Sequence, residues 1–236
     1  MEIYLIFNTN TKILFILAHP DDEVLGAGGL ILKARSLGAL IKVVWLGEGV
    51  SARFSKEELN SKEFLRASAI RKEGAIAAME VLDITDYSFG DWYCLRFDEI
   101  PFLDITKKIE KDINNFSPDL VVTHNPVEVN IDHKITFNAV EAALRPINNQ
   151  VKPAIWGCEI PCSGRWTLET KFVPNIFVDI EDYIEKKLLA WSKYIGEARK
   201  FPFPRSDEGL ITMAKYRGME SGLTYAEGFK SWREIF

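Results

Sequence analysis

The sequence is poor in cysteine and contains no long apolar run, and each shortage excludes a class of protein. It has three cysteines, an odd number that cannot form the disulfide framework of a small secreted domain. The three thiols therefore indicate a reducing compartment, and we expect a cytoplasmic location. No run approaches the roughly 18 apolar residues that span a bilayer, so we expect no integral membrane segment.

An excess of positive charge is also absent. The formal net charge is -5, without a basic stripe that could neutralise phosphates, so we expect no nucleic-acid partner. The apolar stretch from Ile3 to Phe7 is short and has no basic leader, unlike a signal peptide. Hydrophobic residues make up 47% and charged residues 27%, which predicts an ordinary globular protein. We expect one domain over residues 1–236, and the composition leaves a homo-oligomer open.

Short runs rich in Val, Ile and Leu alternate with segments of helical period, an alternation that is typical of βαβ units. It predicts an α/β fold, a Rossmann-like three-layer sandwich with a mostly parallel central sheet. The predicted strands are 12–18, 40–46, 84–89, 119–123, 154–160 and 175–180. The predicted helices are 23–37, 57–80, 104–116, 133–144 and 181–200, and residues 206–236 are expected to be helix and loop packed back on the sheet.

A histidine and three carboxylates follow the first predicted strand, in the run His19-Pro20-Asp21-Asp22-Glu23. The proline biases His19 towards an extended conformation, and Asp22 falls where the next helix begins. Three residues apart across this turn, His19 and Asp22 can face one point. Helix capping is the competing explanation, but a strand-end histidine beside two aspartates exceeds what capping needs. The cluster therefore indicates a site in which a divalent cation neutralises the carboxylates.

A second polar segment, residues 124–133, follows the fourth predicted strand. His19, His124 and His133 are the only histidines of the chain, and all follow apolar strands at the edge where open sheets bind ligands. Asp132, beside His133, could accept the other ring N–H of that histidine and fix its tautomer.

Together, His19, Asp22 and His133 would give a His₂Asp set with one position open to water, as in catalytic zinc sites. Zn²⁺ would lower the pKa of that water and polarise an amide carbonyl. Asp21 lies next to the ligands without being needed as one, so it is the candidate general base.

The two segments closely resemble the LmbE/PIG-L family of zinc-dependent N-acetylglucosaminyl deacetylases, whose first motif is HPDDE at a strand end and whose second ends in DH at a helix start. The resemblance implies Zn²⁺ on His19, Asp22 and His133, with Asp21 as the base. It also implies hydrolysis of the N-acetyl, or another N-acyl, group of an amino sugar, which releases acetate and a free amine. The expected partner is an N-acetylated amino sugar or glycoconjugate.

Weaker similarities lie elsewhere in the chain. Arg71 and Glu73, in Arg-Lys-Glu-Gly, resemble the family's R-x-x-E or R-x-E stretch, whose arginine contacts the sugar. Asp91, between Gly90 and Trp92, resembles an aspartate that holds sugar hydroxyls. Arg217-Gly218, followed by Tyr-Ala-Glu-Gly-Phe at residues 225–229, is similar to the family's RG…AEAF tail.

The chain departs from the family pattern at one position. Many members carry a histidine three residues before the final ligand, where it donates to the tetrahedral oxyanion, and here that residue is Asn130. The asparagine amide can donate a hydrogen bond but cannot carry a proton or a positive charge. His124 is the alternative donor, and the sequence leaves both assignments open.

Three other functions compete with the deacetylase hypothesis. A dinucleotide-dependent oxidoreductase would share the architecture, but the run Gly-Ala-Gly-Gly at 26–29 is not G-x-G-x-x-G, and the preceding aspartates would repel a pyrophosphate. A non-catalytic sugar-binding module would need neither the ligand set nor the base. A metal-dependent amide or carbamoyl hydrolase with a non-sugar substrate would use the same residues, and the sequence does not separate it from a sugar deacetylase.

Overall fold

The computed structural model describes residues 7–147 and 153–235, which form a seven-stranded sheet with helices packed on both faces. Residues 3–6 of the apolar amino-terminal stretch and Phe236 lie outside these ranges. The strands are β1 Lys12–Leu17, β2 Leu40–Gly47, β3 Asp86–Trp92, β4 Leu120–Thr123, β5 Ala154–Cys158, β6 Ile176–Asp179 and β7 Ala226–Arg233. The helices are α1 Asp22–Ser36, α2 Lys62–Leu82, α3 Phe102–Phe116, α4 Ile131–Ala143, α5 Ile184–Trp191 and α6 Asp207–Ser221.

The sheet has the strand order β3-β2-β1-β4-β5-β7-β6, and only β7 runs antiparallel to its neighbours. The strands β2 and β3, which follow β1 in the chain, lie on one side of it in the sheet. The next strand, β4, pairs with the other side of β1, and the remaining strands extend the sheet from there. The carboxyl ends of β1 and β4 therefore lie together at the point where the strand order reverses, which is where open α/β sheets bind ligands. The predicted α/β class and mostly parallel sheet are confirmed.

The central strand β1 is apolar on both faces, as expected for a parallel strand between two helical layers. Ile13, Phe15 and Leu17 pack in the larger apolar cluster, with residues of α1, α2 and α5. Leu14 and Ile16 pack in the second cluster on the opposite face, with residues of α3 and α4. Within the described residues, none of the helices has both the length and the apolar character needed to cross a bilayer.

Two predicted elements at the carboxyl-terminal end differ from the structure. The helix expected over 181–200 ends at Trp191, and the irregular segment that follows carries Tyr194 and Glu197 to side chains near the end of β1. Residues 226–233, expected within helix and loop, form β7 between β5 and β6. Gly228 lowers the strand propensity of this segment, and its pairing with two distant strands leaves no local signal.

Helix α1 is broken near its start, because Ala27 has non-helical φ and ψ of -153° and 15°. Glu227 of β7 accepts the freed N–H groups of Gly29 at 2.8 Å and Leu30 at 2.7 Å. Lys187 of α5 binds the same carboxylate at 2.6 Å and donates to the Leu25 carbonyl at 3.1 Å. This buried ion pair therefore satisfies both sides of the break and fixes the short first segment of α1, which begins at the predicted site.

We expect Glu227→Ala to lower the free energy of unfolding by about 3–5 kcal/mol, because Lys187 would keep a buried charge without its partner. Urea denaturation measures the loss. Glu73→Ala, at an exposed position within α2, is the matched control and should change stability by less than about 0.5 kcal/mol. Equal stability of the two variants would show that the ion pair does not hold the break in α1.

Candidate metal centre

The two polar segments identified in the sequence meet at the strand-order reversal. His19 follows β1 and His124 follows β4, and the Ala18 N–H donates to His124 Nε2 at 2.9 Å, which joins the two strand ends. His133 lies in the first turn of α4, after the same loop. All three imidazoles are buried. The topology therefore brings together residues that are more than 100 positions apart in the chain.

His19, Asp22 and His133 offer ligand atoms that all lie within 4.8 Å of one another. Asp22 Oδ2 is 3.7 Å from His19 Nδ1 and 3.5 Å from His133 Nε2. Ligand atoms about 2.1 Å from a tetrahedral zinc ion are about 3.4 Å apart, so these spacings need only small adjustments. Two imidazoles and a carboxylate are a donor set that suits zinc.

The hydrogen bonding of Asp22 also fits a cation. Its Oδ2 accepts the His19 N–H at 2.9 Å, but its buried Oδ1 has no hydrogen-bond partner among the described residues. Such an unsatisfied buried oxygen is unfavourable unless it binds something else. Burial by itself raises the pKa of Asp22, but the neighbouring rings of His133, His124 and His19 hold it below its ordinary value. The carboxylate is therefore ionised and available as a ligand.

Each of the two proposed histidine ligands has a carboxylate on its other ring nitrogen. Asp132 lies 2.9 Å from His19 Nε2, and Glu128 lies 2.9 Å from His133 Nδ1. Such contacts fix the tautomer and orient the ring towards a metal. The predicted pairing of Asp132 with His133 is wrong: neighbouring residues of a helix point about 100° apart, so Asp132 faces the other histidine.

We expect Glu128→Gln to lower zinc affinity by about 10- to 100-fold, because a neutral amide polarises His133 less than a carboxylate does. Competition with a chromogenic chelator measures the affinity. Glu141→Gln, on the exposed face of the same helix as His133, is the control and should leave affinity unchanged. Unaltered affinity in the Glu128 variant would contradict this supporting role.

Asp21, the predicted base, is held in an unusual backbone conformation and by two arginines. Its φ of 127° lies in a region that residues other than glycine rarely adopt. Arg71 Nη1 donates to Asp21 Oδ2 at 2.9 Å and Arg205 Nη1 donates to it at 3.2 Å. Burial raises the pKa of Asp21, opposed by the positive charges of Arg71 and Arg205. The arginines thus fix one carboxylate oxygen beside the proposed ligands.

Glu23, the last residue of the first motif, supports this conformation. Its carboxylate accepts the Asp21 N–H at 3.1 Å, the Trp45 Nε1–H at 2.8 Å and the Tyr194 O–H at 2.5 Å. Burial raises the pKa of Glu23 to about 7, against the lowering effect of these hydrogen bonds. Hydrogen bonds to Glu23 therefore connect the first motif to Trp45 in β2 and to Tyr194 in the segment after α5.

The two candidate oxyanion donors occupy different surroundings. His124 is fully buried and stacks on His133, with ring centroids 3.9 Å apart. Burial, with the charge of His133, lowers the pKa of His124 to about 4, so its ring is neutral at neutral pH. This position behind His133 is unsuited to substrate contact. Asn130 is half-buried and its Oδ1 caps α4 by accepting the Asp132 N–H at 2.9 Å, so only its NH₂ group can donate to a ligand.

The two predicted sugar-contacting residues also differ in accessibility. Arg71 is only 5% exposed, and besides Asp21 its guanidinium binds the Pro20 carbonyl and Glu197. Asp91 is exposed and lines a cleft of about 290 Å³ that borders the first motif through Pro20. The other lining residues are Glu48, Phe64, Ser68, Lys72, Phe89, Gly90 and Tyr93. This mixture of aromatic and polar side chains suits a sugar, which has an apolar ring face and polar hydroxyl groups.

The tail that resembles the family has contacts that hold the fold together. Arg217 is buried and donates to Glu159 Oε2 at 2.7 Å, which joins α6 to the segment after β5. A side chain at Gly218 would place its Cβ 2.5 Å from the Leu223 carbonyl oxygen, so the chain passes too closely there for any other residue. Glu227 of the same tail spans the break in α1.

The sequence interpretation missed several residues around the centre. Glu128 lies in the loop that carries His124. This position in the chain was the one sequence feature that could have indicated its contact with a histidine of the centre. Arg205, Glu197 and Tyr194 come from a region without a local motif. Only the packing of α5 and the following segment against the first motif brings these three side chains to Asp21, Arg71 and Glu23.

Comparison with known proteins agrees with the resemblance seen in the motifs. A family model described as PIG-L, GlcNAc-PI de-N-acetylase, matches residues 14–144. The diacetylchitobiose deacetylase of Thermococcus kodakarensis is 29% identical over an alignment of 238 residues, which covers 98% of this chain and 86% of that protein.

Two solved structures share the fold. The N,N'-diacetylchitobiose deacetylase from Pyrococcus horikoshii has a TM-score of 0.75 at 23% identity, covering 94% of this chain and 83% of that one. The 4-carboxy-2-hydroxymuconate hydratase from Pseudomonas putida also has a TM-score of 0.75, at 22% identity, covering 96% and 98%. Because these two proteins are named for different reactions, the fold alone does not fix the chemistry. The match over residues 14–144, which spans both segments of the metal centre, shows that this chain belongs to the PIG-L family.

Proposed function

We propose that this protein is a zinc-dependent deacetylase that hydrolyses the N-acetyl group of an amino sugar. Two buried carboxylates carry the proposal. Asp22 places its Oδ2 near both His19 and His133 and leaves its Oδ1 without a hydrogen-bond partner among the described residues. Asp21 is fixed beside it by Arg71. Membership of the PIG-L family and the similarity to a diacetylchitobiose deacetylase support the same activity.

His19, Asp22 and His133 would hold the metal, with Asp132 and Glu128 orienting the two rings. When bound, zinc supplies a Lewis acid for the amide carbonyl and lowers the pKa of water.

Asp21 takes a proton from the attacking water and returns it to the departing amine, which is general base and then general acid catalysis. Arg71 and Arg205 donate to one oxygen of this carboxylate, which fixes its direction, and their charges oppose the rise in the pKa of Asp21 that burial causes. The NH₂ group of Asn130 is the oxyanion donor we favour, because His124 is fully buried behind a ligand.

The cleft beside Pro20 is the proposed site for the sugar. Its more exposed aromatic side chains, Phe89 and Tyr93, offer surfaces for the apolar face of a pyranose, while Asp91 can accept hydrogen bonds from sugar hydroxyls. Arg71 acts on the substrate through Asp21 in this proposal, because its donors are already engaged within the protein.

We expect Asp91→Ala to raise KM by about tenfold with little change in kcat, because one hydrogen-bonded carboxylate is worth about 1.5 kcal/mol and lies away from the reacting bond. Steady-state kinetics on the best substrate gives both constants. Asp86→Ala, an exposed change at the start of the same strand, is the control. A fall in kcat with unchanged KM would instead place Asp91 in the chemical step.

The activity is tested by a screen of compounds with purified, zinc-loaded protein, in which released acetate and free amine are both measured. The panel contains N-acetylglucosamine, diacetylchitobiose, N-acetylglucosamine linked to a carboxylic acid, N-acetyl amino acids and carbamoyl compounds. We expect stoichiometric acetate and amine from at least one amino sugar. Hydrolysis confined to the amino acids or carbamoyl compounds would replace the sugar assignment, and sugar binding without acetate would indicate a binding module.

We also propose that the chain works as one domain in the cytoplasm. The two largest apolar clusters pack on opposite faces of the same sheet, which supports a single folding unit. Cys94, Cys158 and Cys162 are all free and buried, which fits a reducing compartment.

A further inference from the structure

A thiol lies beside His19 in addition to the proposed metal ligands. Cys94, His19 and Asp132 offer ligand atoms that all lie within 4.8 Å of one another. Asp132 faces His19 Nε2, the ring nitrogen opposite the one that faces Asp22. The ring can therefore present one nitrogen to the catalytic ion and the other to this second group.

The second group is held in place by hydrogen bonds between main-chain N–H groups and side-chain oxygens. Cys94 donates its N–H to Ser51 Oγ at 2.6 Å and to Glu48 Oε1 at 3.1 Å. Asp132 accepts the N–H groups of Leu95 at 2.5 Å and Phe97 at 3.1 Å. Leu95 has a φ of 58°, a left-handed conformation at the turn between the two N–H donors. The backbone of Cys94 and the carboxylate of Asp132 are thus both fixed by hydrogen bonds, which keeps the thiol-bearing residue next to the carboxylate.

We propose that Cys94, His19 Nε2 and Asp132 form a second metal site, which takes a thiophilic divalent cation such as Cd²⁺, or Zn²⁺ in excess. Thiolate, imidazole and carboxylate together suit these ions rather than Mg²⁺ or Ca²⁺. On binding, the ion replaces the protons of the Cys94 thiol and of His19 Nε2, and both protons pass to solvent.

Occupation of this site inhibits the enzyme. Asp132 orients His19 through Nε2, and an ion that takes both atoms removes that support and places a second positive charge on the same imidazole. The proposed catalytic ion then stays bound at Nδ1, but its ligand has a different charge and is no longer held in position by Asp132. The inhibition rests on the proposed function, whereas the binding of the second ion does not.

The binding test starts from protein loaded with one equivalent of zinc and titrates it with Cd²⁺. Bound metal is measured by elemental analysis, and the cadmium–thiolate bond by its charge-transfer absorption in the ultraviolet. We expect the wild-type protein to take up a second equivalent, with the absorption band and with its zinc retained. Cys94→Ser should lose both the band and the second equivalent, and Cys162→Ser, a change at another buried thiol, should keep both.

Cadmium uptake matched by release of zinc would mean exchange at the first site and would overturn the proposal, as would a band that survives in Cys94→Ser. Cys94→Ala is measured as well, and thermal unfolding must show that the variants are folded. In the activity arm, each protein is compared with its own rate at one equivalent of zinc. Wild-type activity should fall as the second ion binds, and Cys94→Ser should resist. If the protein bound both ions but released no acetate from any substrate, the deacetylase assignment would be wrong. The assignment of the second metal site would still hold.

Discussion

Asp21→Asn should lower kcat by about 10²- to 10⁴-fold while the protein keeps its zinc, because the variant loses the group that takes the proton from water. Asparagine is the appropriate substitution for two reasons. Its amide oxygen can still accept from Arg71 and Arg205, and its side chain has nearly the size and shape of the aspartate that it replaces. The variant therefore removes the base with little change in the surrounding structure.

The measurement combines kcat with the zinc content of the same sample. Asp182→Asn, an exposed aspartate remote from both motifs, is the control and should retain full activity. If the Asp21 variant turned over substrate at a near-normal rate with zinc bound, the base would have to be another residue. If it lost zinc as well as activity, Asp21 would be needed for the metal centre itself.

Removal of the metal should abolish activity and lower stability together. A chelator should eliminate turnover, and added zinc should restore it, because no other group in the centre supplies a Lewis acid in the proposed mechanism. Bound zinc stabilises the folded state by about 4 kcal/mol when its free concentration is 1,000 times Kd. We therefore expect the melting temperature of the wild-type protein to fall on chelation.

Asp22→Ala separates this effect from unspecific actions of the chelator. The variant lacks the one anionic ligand of the proposed set, so it should bind no stoichiometric zinc, show no activity and have a melting temperature that the chelator does not change. Differential scanning calorimetry with and without chelator, beside metal analysis, measures this. Persistent activity in chelated wild-type protein, or full zinc content in the variant, would refute the assigned metal centre.

The strand-end residues were predictable because their signals are local. Alternating apolar strands and helices placed His19, Asp22 and His133 just after strands or at a helix start, and parallel sheets gather such positions at one edge. The pairing of Asp132 was predicted incorrectly, because it depends on the direction of each side chain in the first turn of α4. Sequence adjacency does not determine that direction.

The amino-acid sequence by itself determined the α/β class, the mostly parallel sheet and the two segments that carry the chemistry, because hydrophobic periodicity and motif spacing are properties of short stretches. Only the tertiary structure decided that β7 inserts between β5 and β6, that Glu227 and Lys187 span the break in α1, and that Arg205 reaches Asp21. These contacts join residues that are from 40 to nearly 200 positions apart. Their partners are selected by packing and charge in the folded protein, and no short stretch of the chain contains both members.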